Sequence, residues 1–252
     1  NYYSNYNNLS KLKSYIKLYK KIDSFSNTIF VIWDKKFALR TKKLCNLRSP
    51  IKVISPSLSY NEKKLISIKT KVKKKINLLF IGLNPEIKGL NYLHEAINDK
   101  LFDNYDFKLK IITHTTNLKN TKKISYHSDI KEQVKRKYLK ECDIFILPTT
   151  AETFGYSILE AISYKCAIIT TNFYPLTNFC LHDYNGLLVR NKNSHDIKIA
   201  ILKMFNGPKK IEIYKKNSFN LYKKKFGQKI YLDKMMKLSK NIILKKVIKS
   251  DI

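Results

Sequence analysis

TTAETFGYSILEAISYKCAIITTN, residues 149–172, is the stretch on which the fold turns. It follows a short apolar run, Asp143-Ile-Phe-Ile-Leu-Pro148, which reads as a buried strand stopped by its proline. A polar turn comes next, holding Glu152 and Gly155. Tyr156 to Tyr164 then has helical spacing, with Ile158, Leu159 and Ile162 on the inward side. Ala167 to Thr171 reads as the next strand. Strand, turn, helix and strand in this order describe one crossover of a parallel sheet, and open sheets of that kind bind ligands at the carboxyl ends of their strands. Glu152 lies in the turn and Glu160 about one turn into the helix, so both are expected to face that crevice. The N–H groups from Gly155 through Tyr156 to Ser157 open the helix, where an anion is attracted.

Working outward, strands are expected at residues 77–81, 107–113, 123–126 and 187–189, with helices at 90–97, 130–139 and 193–205. Val134 and Tyr138 are expected inward on the 130–139 helix, and a short helix is expected near 176–181. The fold class is α/β, a Rossmann-like parallel sheet domain over residues 73–208. Before it, residues 28–33, a helix from Asp34 to Leu44, and residues 51–54 make one strand–helix–strand unit. Residues 1–10 read as poorly ordered, residues 12–19 as helical, and 55–75 as a linker with a short helix at 62–68, so residues 1–72 form a partial α/β unit. Gly207-Pro208 breaks the chain, and two basic helices are expected at 209–226 and 229–248.

These motifs carry a resemblance. Pro148-Thr149-x-x-Glu152-x-Phe154-Gly155-x-x-x-Leu159-Glu160-Ala161 resembles the signature of retaining glycosyltransferases of family 4. Leu79-Phe80-Ile81-Gly82 with Glu86-x-Lys88-Gly89-Leu90 resembles that family's first strand and the turn after it. Asp183-x-Asn185-Gly186-Leu187-Leu188-Val189 resembles a later segment, and the match runs from about residue 76 to 205. The resemblance implies the GT-B architecture of two facing domains, of which this chain holds the donor-binding one and the last piece of the other. It implies transfer of a sugar from a nucleotide-sugar donor to a glycan or lipid-linked acceptor, with retention and without a metal. Glu152 and Lys88 are then the catalytic candidates. Gly82, Lys88, Phe154, Gly155, Tyr156 and Glu160 would bind the donor, Glu160 through the ribose, with Tyr126 and His127 near the base. The family's basic residue after the first strand is replaced by Leu83-Asn84, which leaves one cation where two are usual. The front half of the family's first domain is absent, and the chain begins without a methionine, so it is expected to be a fragment or a trimmed form.

The plain alternatives are concrete. Lys88 is one of many lysines, Glu160 could be a helix-surface carboxylate, Glu152 a capping acid and Phe154 a core residue. The six glycines never fall within a GxG, which argues against a dinucleotide fingerprint or a P-loop, and there is no DxD triplet to hold a metal. No cofactor is expected. His94, His114, His182 and His195 have no partner spacing.

Composition sets wider bounds. The 252 residues are 44% hydrophobic, enough for a large core. Fifty Lys and Arg against 19 Asp and Glu give a net charge of +31, read chiefly as compositional, since the excess is nearly all lysine. Nucleic acid is an unfavoured partner, although Tyr214, Phe219 and Tyr222 interleave with lysines on one helix. Peripheral contact with an anionic membrane is a second possibility for residues 229–248, where Met235, Met236, Leu238, Ile242, Ile243 and Val247 alternate with lysines. The plainer reading of that helix is a return to the first domain. With no signal-type core and no long apolar window, a cytoplasmic site is expected, including the inner face of a membrane. Cys142 and Cys166, beside apolar runs, are expected to be buried thiols.

Overall fold

Six parallel strands, in the order β5-β4-β3-β6-β7-β8, carry the larger unit of the computed structural model. The structure describes residues 6–25, 28–58, 75–114 and 118–250. The strands are β3 (Ile76–Ile81), β4 (Phe107–Ile112), β5 (Ile124–His127), β6 (Ile144–Leu147), β7 (Ala167–Thr171) and β8 (Gly186–Val189). The chain lays β4 and β5 on one side of β3, then returns to add β6, β7 and β8 on the other. The loops that leave β3 and β6 therefore diverge at the point where strand order reverses.

The helices follow from right-handed crossovers. α3 (Leu90–Ile97), after β3, shares a face with α6 (Ser194–Phe205), and the two are in contact. α4 (Glu132–Glu141) and α5 (Tyr156–Ser163) cover the other face, where α7 (Pro208–Lys225) packs on α5 and β7. Central strands buried on both faces need unbroken apolar runs, and Ile144 to Leu147 and Ala167 to Thr171 are buried throughout. Ile158, Leu159 and Ile162 lie at 0% exposure, as their spacing required. On α4 the buried residue is Leu139, with Val134 and Tyr138 half-buried. The short helix expected at 176–181 is one 3₁₀ turn, Leu176–Asn178. Asn193 caps α6 through its side chain, accepting from Asp196 N–H at 2.8 Å.

At the amino ends of the strands an ion pair is sealed in. Lys215 of α7 reaches Asp143 at 2.9 Å, and the side chains are 7% and 9% exposed. The other Asp143 oxygen accepts the Asn77 N–H at 3.0 Å, and Lys215 also binds Glu212 at 2.9 Å. All four cysteines are buried and free.

The smaller unit holds α1 (Tyr6–Asp23), β1 (Phe30–Ile32), α2 (Lys35–Cys45), β2 (Ile51–Val53) and α8 (Gln228–Ser250). The strands β1 and β2 pair in parallel, and Asp34 caps α2 by accepting the Phe37 N–H at 2.9 Å. Phe30, Cys45 and Leu47 form its core, with Ile16, Tyr19, Ile22 and Ile51 against them. The helix expected from residue 12 already begins at Tyr6, and residues 1–5 lie outside the described residues. The helix expected at 62–68, and the boundary expected at 72, also lie outside them. By its contacts the chain divides into Asn1–Ser59 with Phe226–Ile252, and Tyr60–Lys225. So α7 belongs with the six-stranded sheet and α8 with the N-terminal unit, where the sequence reading had grouped the two basic helices together.

The burial pattern bears on two alternatives raised for those helices. Tyr214, Phe219 and Tyr222 are 1%, 7% and 0% exposed, so the aromatics of α7 are core and offer no stacking surface to a nucleic acid. On α8 Met236 and Ile242 are exposed while Leu238 is buried, so these three do not share one outward face. No helix among the described residues is long and apolar enough to cross a membrane.

Candidate active site

The loops leaving β3 and β6 are stitched together before any functional side chain is considered. The Ile87 carbonyl accepts the Thr150 N–H at 2.8 Å and the Thr149 and Thr150 hydroxyls at 2.9 and 3.1 Å. Thr149 is fully buried, and its own carbonyl accepts the Thr171 hydroxyl at 2.8 Å, which ties the β6 exit to β7. Gly89 has φ 76°, and a Cβ there would overlap the Pro148 carbonyl, so only glycine lets the two loops approach this closely. Asn84, read from sequence only as a departure, shapes the turn. Its side chain accepts the Ile87 N–H at 3.1 Å and its carbonyl accepts the Lys88 N–H at 2.9 Å.

This stitching brings Lys88 and Glu152 together, 64 residues apart in sequence, with Lys88 Nζ 2.6 Å from Glu152 Oε2. The side chains are 23% and 11% exposed, so the pair is sheltered yet reachable. The other Glu152 oxygen accepts the Thr153 N–H at 3.0 Å. Gly82 is part of the same construction. A Cβ on it would come within 2.6 Å of the Lys88 Cβ, so the bare backbone makes room for the lysine stem. Leu83 stands 55% exposed on that turn, and a shallow open depression of about 500 Å³ is lined by Leu83, Asn84, Pro85, Glu86 and His114.

Glu160 does not join this pair. Its carboxylate meets Lys135 of α4, Oε1 to Nζ 2.8 Å, and is only 14% exposed. Lys135 also binds Glu132 at 3.0 Å. Burial pulls the Lys135 ammonium towards deprotonation, but the hydrogen bonds to Glu160 and Glu132 outweigh it and its pKa rises. Sequence reasoning missed Lys135 because nothing distinguishes it from its lysine neighbours except the i,i+3 spacing from Glu132.

The remaining candidates separate. Gly155, at φ 105°, starts α5 with no side-chain cap, which leaves the helix opening to other acceptors. Phe154 is 6% exposed and meets Phe179 edge-on at 5.1 Å, so its ring is core and only its backbone remains for a ligand. Tyr156 is 56% exposed, with its ring 4.8 Å from Phe154. Tyr126 and His127 are successive strand residues and face opposite sides of the sheet. Tyr126 shares a hydrogen bond with His94 of α3 at 2.9 Å, while the His127 ring lies 5.0 Å from Tyr138 of α4. With β4 and β3 between β5 and β6, Tyr126 is about 14 Å from the signature strand by strand spacing. Burial lowers the pKa of His94, and burial with Lys110 nearby lowers that of His127, which favours the neutral form of both rings. Among the described residues no three His, Cys, Asp or Glu gather as metal ligands.

The family model described as glycosyl transferases group 1 matches residues 61–221. An uncharacterized glycosyltransferase of Methanocaldococcus jannaschii is 27% identical over 137 residues, 51% of this chain and 38% of the relative. The N,N'-diacetylbacillosaminyl-diphospho-undecaprenol alpha-1,3-N-acetylgalactosaminyltransferase of Campylobacter jejuni is 28% identical over 183 residues, 67% of this chain and 47% of the relative. The chain therefore spans less than half the length of these two relatives. Among solved structures, Anabaena Alr3699/HepE in complex with UDP and glucose aligns with TM-score 0.70 at 14% identity, over 91% of this chain and 67% of that one. At that identity the likeness concerns the fold, and it agrees with the α/β, GT-B-type domain read from the sequence.

Proposed function

The chain belongs to the glycosyl transferases group 1 family, and from that premise we propose that it moves a sugar from a nucleotide-sugar donor to a glycan or lipid-linked acceptor. The observation that carries the reading is the Lys88–Glu152 pair at the reversal of strand order. Within the pair each charge satisfies the other. A donor diphosphate would take the ammonium, helped by the uncapped opening of α5, and release Glu152 to accept hydroxyl groups of the transferred sugar. Stabilising the leaving diphosphate in this way needs preorganised charge rather than a metal, and electrostatic stabilisation of that kind is often the largest catalytic contribution. Glu160 would accept the ribose hydroxyls. Retention at the anomeric carbon belongs to the same reading.

The Anabaena protein's complex with UDP and glucose supports a uridine-type donor class. The name of the Campylobacter relative supports a lipid-linked acceptor, and with it a working position at the cytoplasmic face of a membrane. The test is titration calorimetry with UDP-, GDP- and ADP-sugars in the presence of EDTA. Saturable binding of at least one is expected; no binding of any would end the reading. For a donor that is consumed, proton NMR of the first product should show the donor's anomeric configuration, and an inverted product would remove retention.

A second reading is favoured by one observation. Leu83 stands exposed on the turn where the family resemblance leads one to expect a cation. One lysine would then hold the diphosphate without driving its departure, and the chain would be a donor-binding module that needs a partner polypeptide. Binding without turnover in the same titrations supports it; turnover by this chain alone removes it.

A further inference from the structure

A glutamate that accepts ribose hydroxyls must be aimed, and at 14% exposure Glu160 depends on protein groups rather than water to hold it. The structure supplies that partner from another helix. Lys135 of α4 donates to Glu160 at 2.8 Å and to Glu132 at 3.0 Å, and Arg136 holds Glu132 from behind at 3.0 Å. The Lys135 ammonium is therefore fixed from two sides, and it in turn fixes one oxygen of Glu160. α4 connects β5 to β6, whereas Glu160 follows β6, so the contact also sets the spacing of two helices beside the site.

We infer that Lys135 is a positioning residue for the nucleotide's ribose, holding Glu160 oriented so that the site tells a ribonucleotide from its deoxy analogue. The inference rests on the ribose role of Glu160 given above. Lys135 touches no reacting atom in this account; it acts through Glu160.

The test compares the full chain with its Lys135→Met, Lys135→Arg and Glu160→Gln variants. Each is titrated with UDP, GDP and ADP, and then with the 2′,3′-dideoxy form of whichever nucleotide binds the unaltered chain best. The unaltered chain should prefer the ribonucleotide by roughly 10- to 100-fold, as expected for hydrogen bonds to a charged acceptor. Lys135→Met should reduce that preference to about threefold or less, Lys135→Arg should keep most of it, and Glu160→Gln should abolish it. If Lys135→Met keeps the full preference while Glu160→Gln loses it, the positioning role is overturned and the ribose reading survives. Equal weakening of ribo and dideoxy forms by Lys135→Met would reduce Lys135 to a structural part and overturn the inference as well. If Glu160→Gln keeps the preference, or if the unaltered chain binds none of the three nucleotides, the parent reading fails and takes this one with it.

Discussion

The two ends of the six-stranded sheet each hold a lysine–carboxylate pair, and the pairs differ in what surrounds them. At the amino end Lys215 and Asp143 are 7% and 9% exposed and have further partners in Glu212 and the Asn77 N–H. At the carboxyl end Lys88 and Glu152 lie closer, 2.6 Å against 2.9 Å, yet are more open at 23% and 11% exposure. The first pair joins a helix to the start of a strand. The second joins two loops that part where strand order reverses. Similar chemistry thus serves packing at one end and leaves displaceable charge at the other. Short distance is the poorer guide to which is which, and the number of fixed partners is the better one.

The comparison breaks if the wrong pair controls stability. Lys215→Met strands the Asp143 carboxylate in the core, and should cost about 3 kcal/mol by urea denaturation, near the lower end for breaking a buried pair. Its nucleotide affinity should not change. Lys88→Met should do the reverse. Its stability cost is about 1 kcal/mol or less, since the pair is partly open to water, while affinity for nucleoside diphosphates falls roughly 10- to 100-fold in calorimetry. Gly82→Ala sharpens the contrast further. The added methyl crowds the Lys88 stem, so affinity should fall by about threefold to tenfold with the fold retained, an overpacking effect confined to one side chain.

The smallest effect is one of pH. His94 is held below its ordinary value of 6.5 by burial. A depressed folded-state pKa means that the unfolded chain binds the proton first. Stability is therefore intact above pH 6.5 and declines as pH falls below it, by at most about 1.4 kcal/mol per unit for this group. His94→Gln should flatten that decline between pH 6.5 and 5 in thermal melts, whereas Lys88→Met should leave it as it is.

Much of the fold was legible because the strands that matter are apolar throughout. Residues 144–147 and 167–171 can only be central strands of a parallel sheet, and the helix between them follows from Ile158, Leu159 and Ile162. The site was legible as a set of residues and not as a set of pairs. Lys88 and Glu152 sit on loops of strands that adjoin only because the chain returns to the middle of the sheet, which no local pattern records. Glu152 is paired with Lys88 and Glu160 with Lys135, one lysine in a chain carrying 50 basic residues. Tyr126 and His127 were read together as neighbours in sequence, although strand alternation sends them to opposite faces. The α7 aromatics, which raised nucleic acid only as an unfavoured alternative, make a related point. Abundant lysines around Tyr214, Phe219 and Tyr222 disguised a buried helix face as a basic surface.

The most direct measurement is a crystal structure of the chain soaked with UDP, GDP or ADP in EDTA. The diphosphate should lie within hydrogen-bond reach of Lys88 Nζ at the opening of α5, with the Lys88–Glu152 contact lengthened from 2.6 Å. A nucleotide bound elsewhere, or bound with that contact intact, would contradict the account.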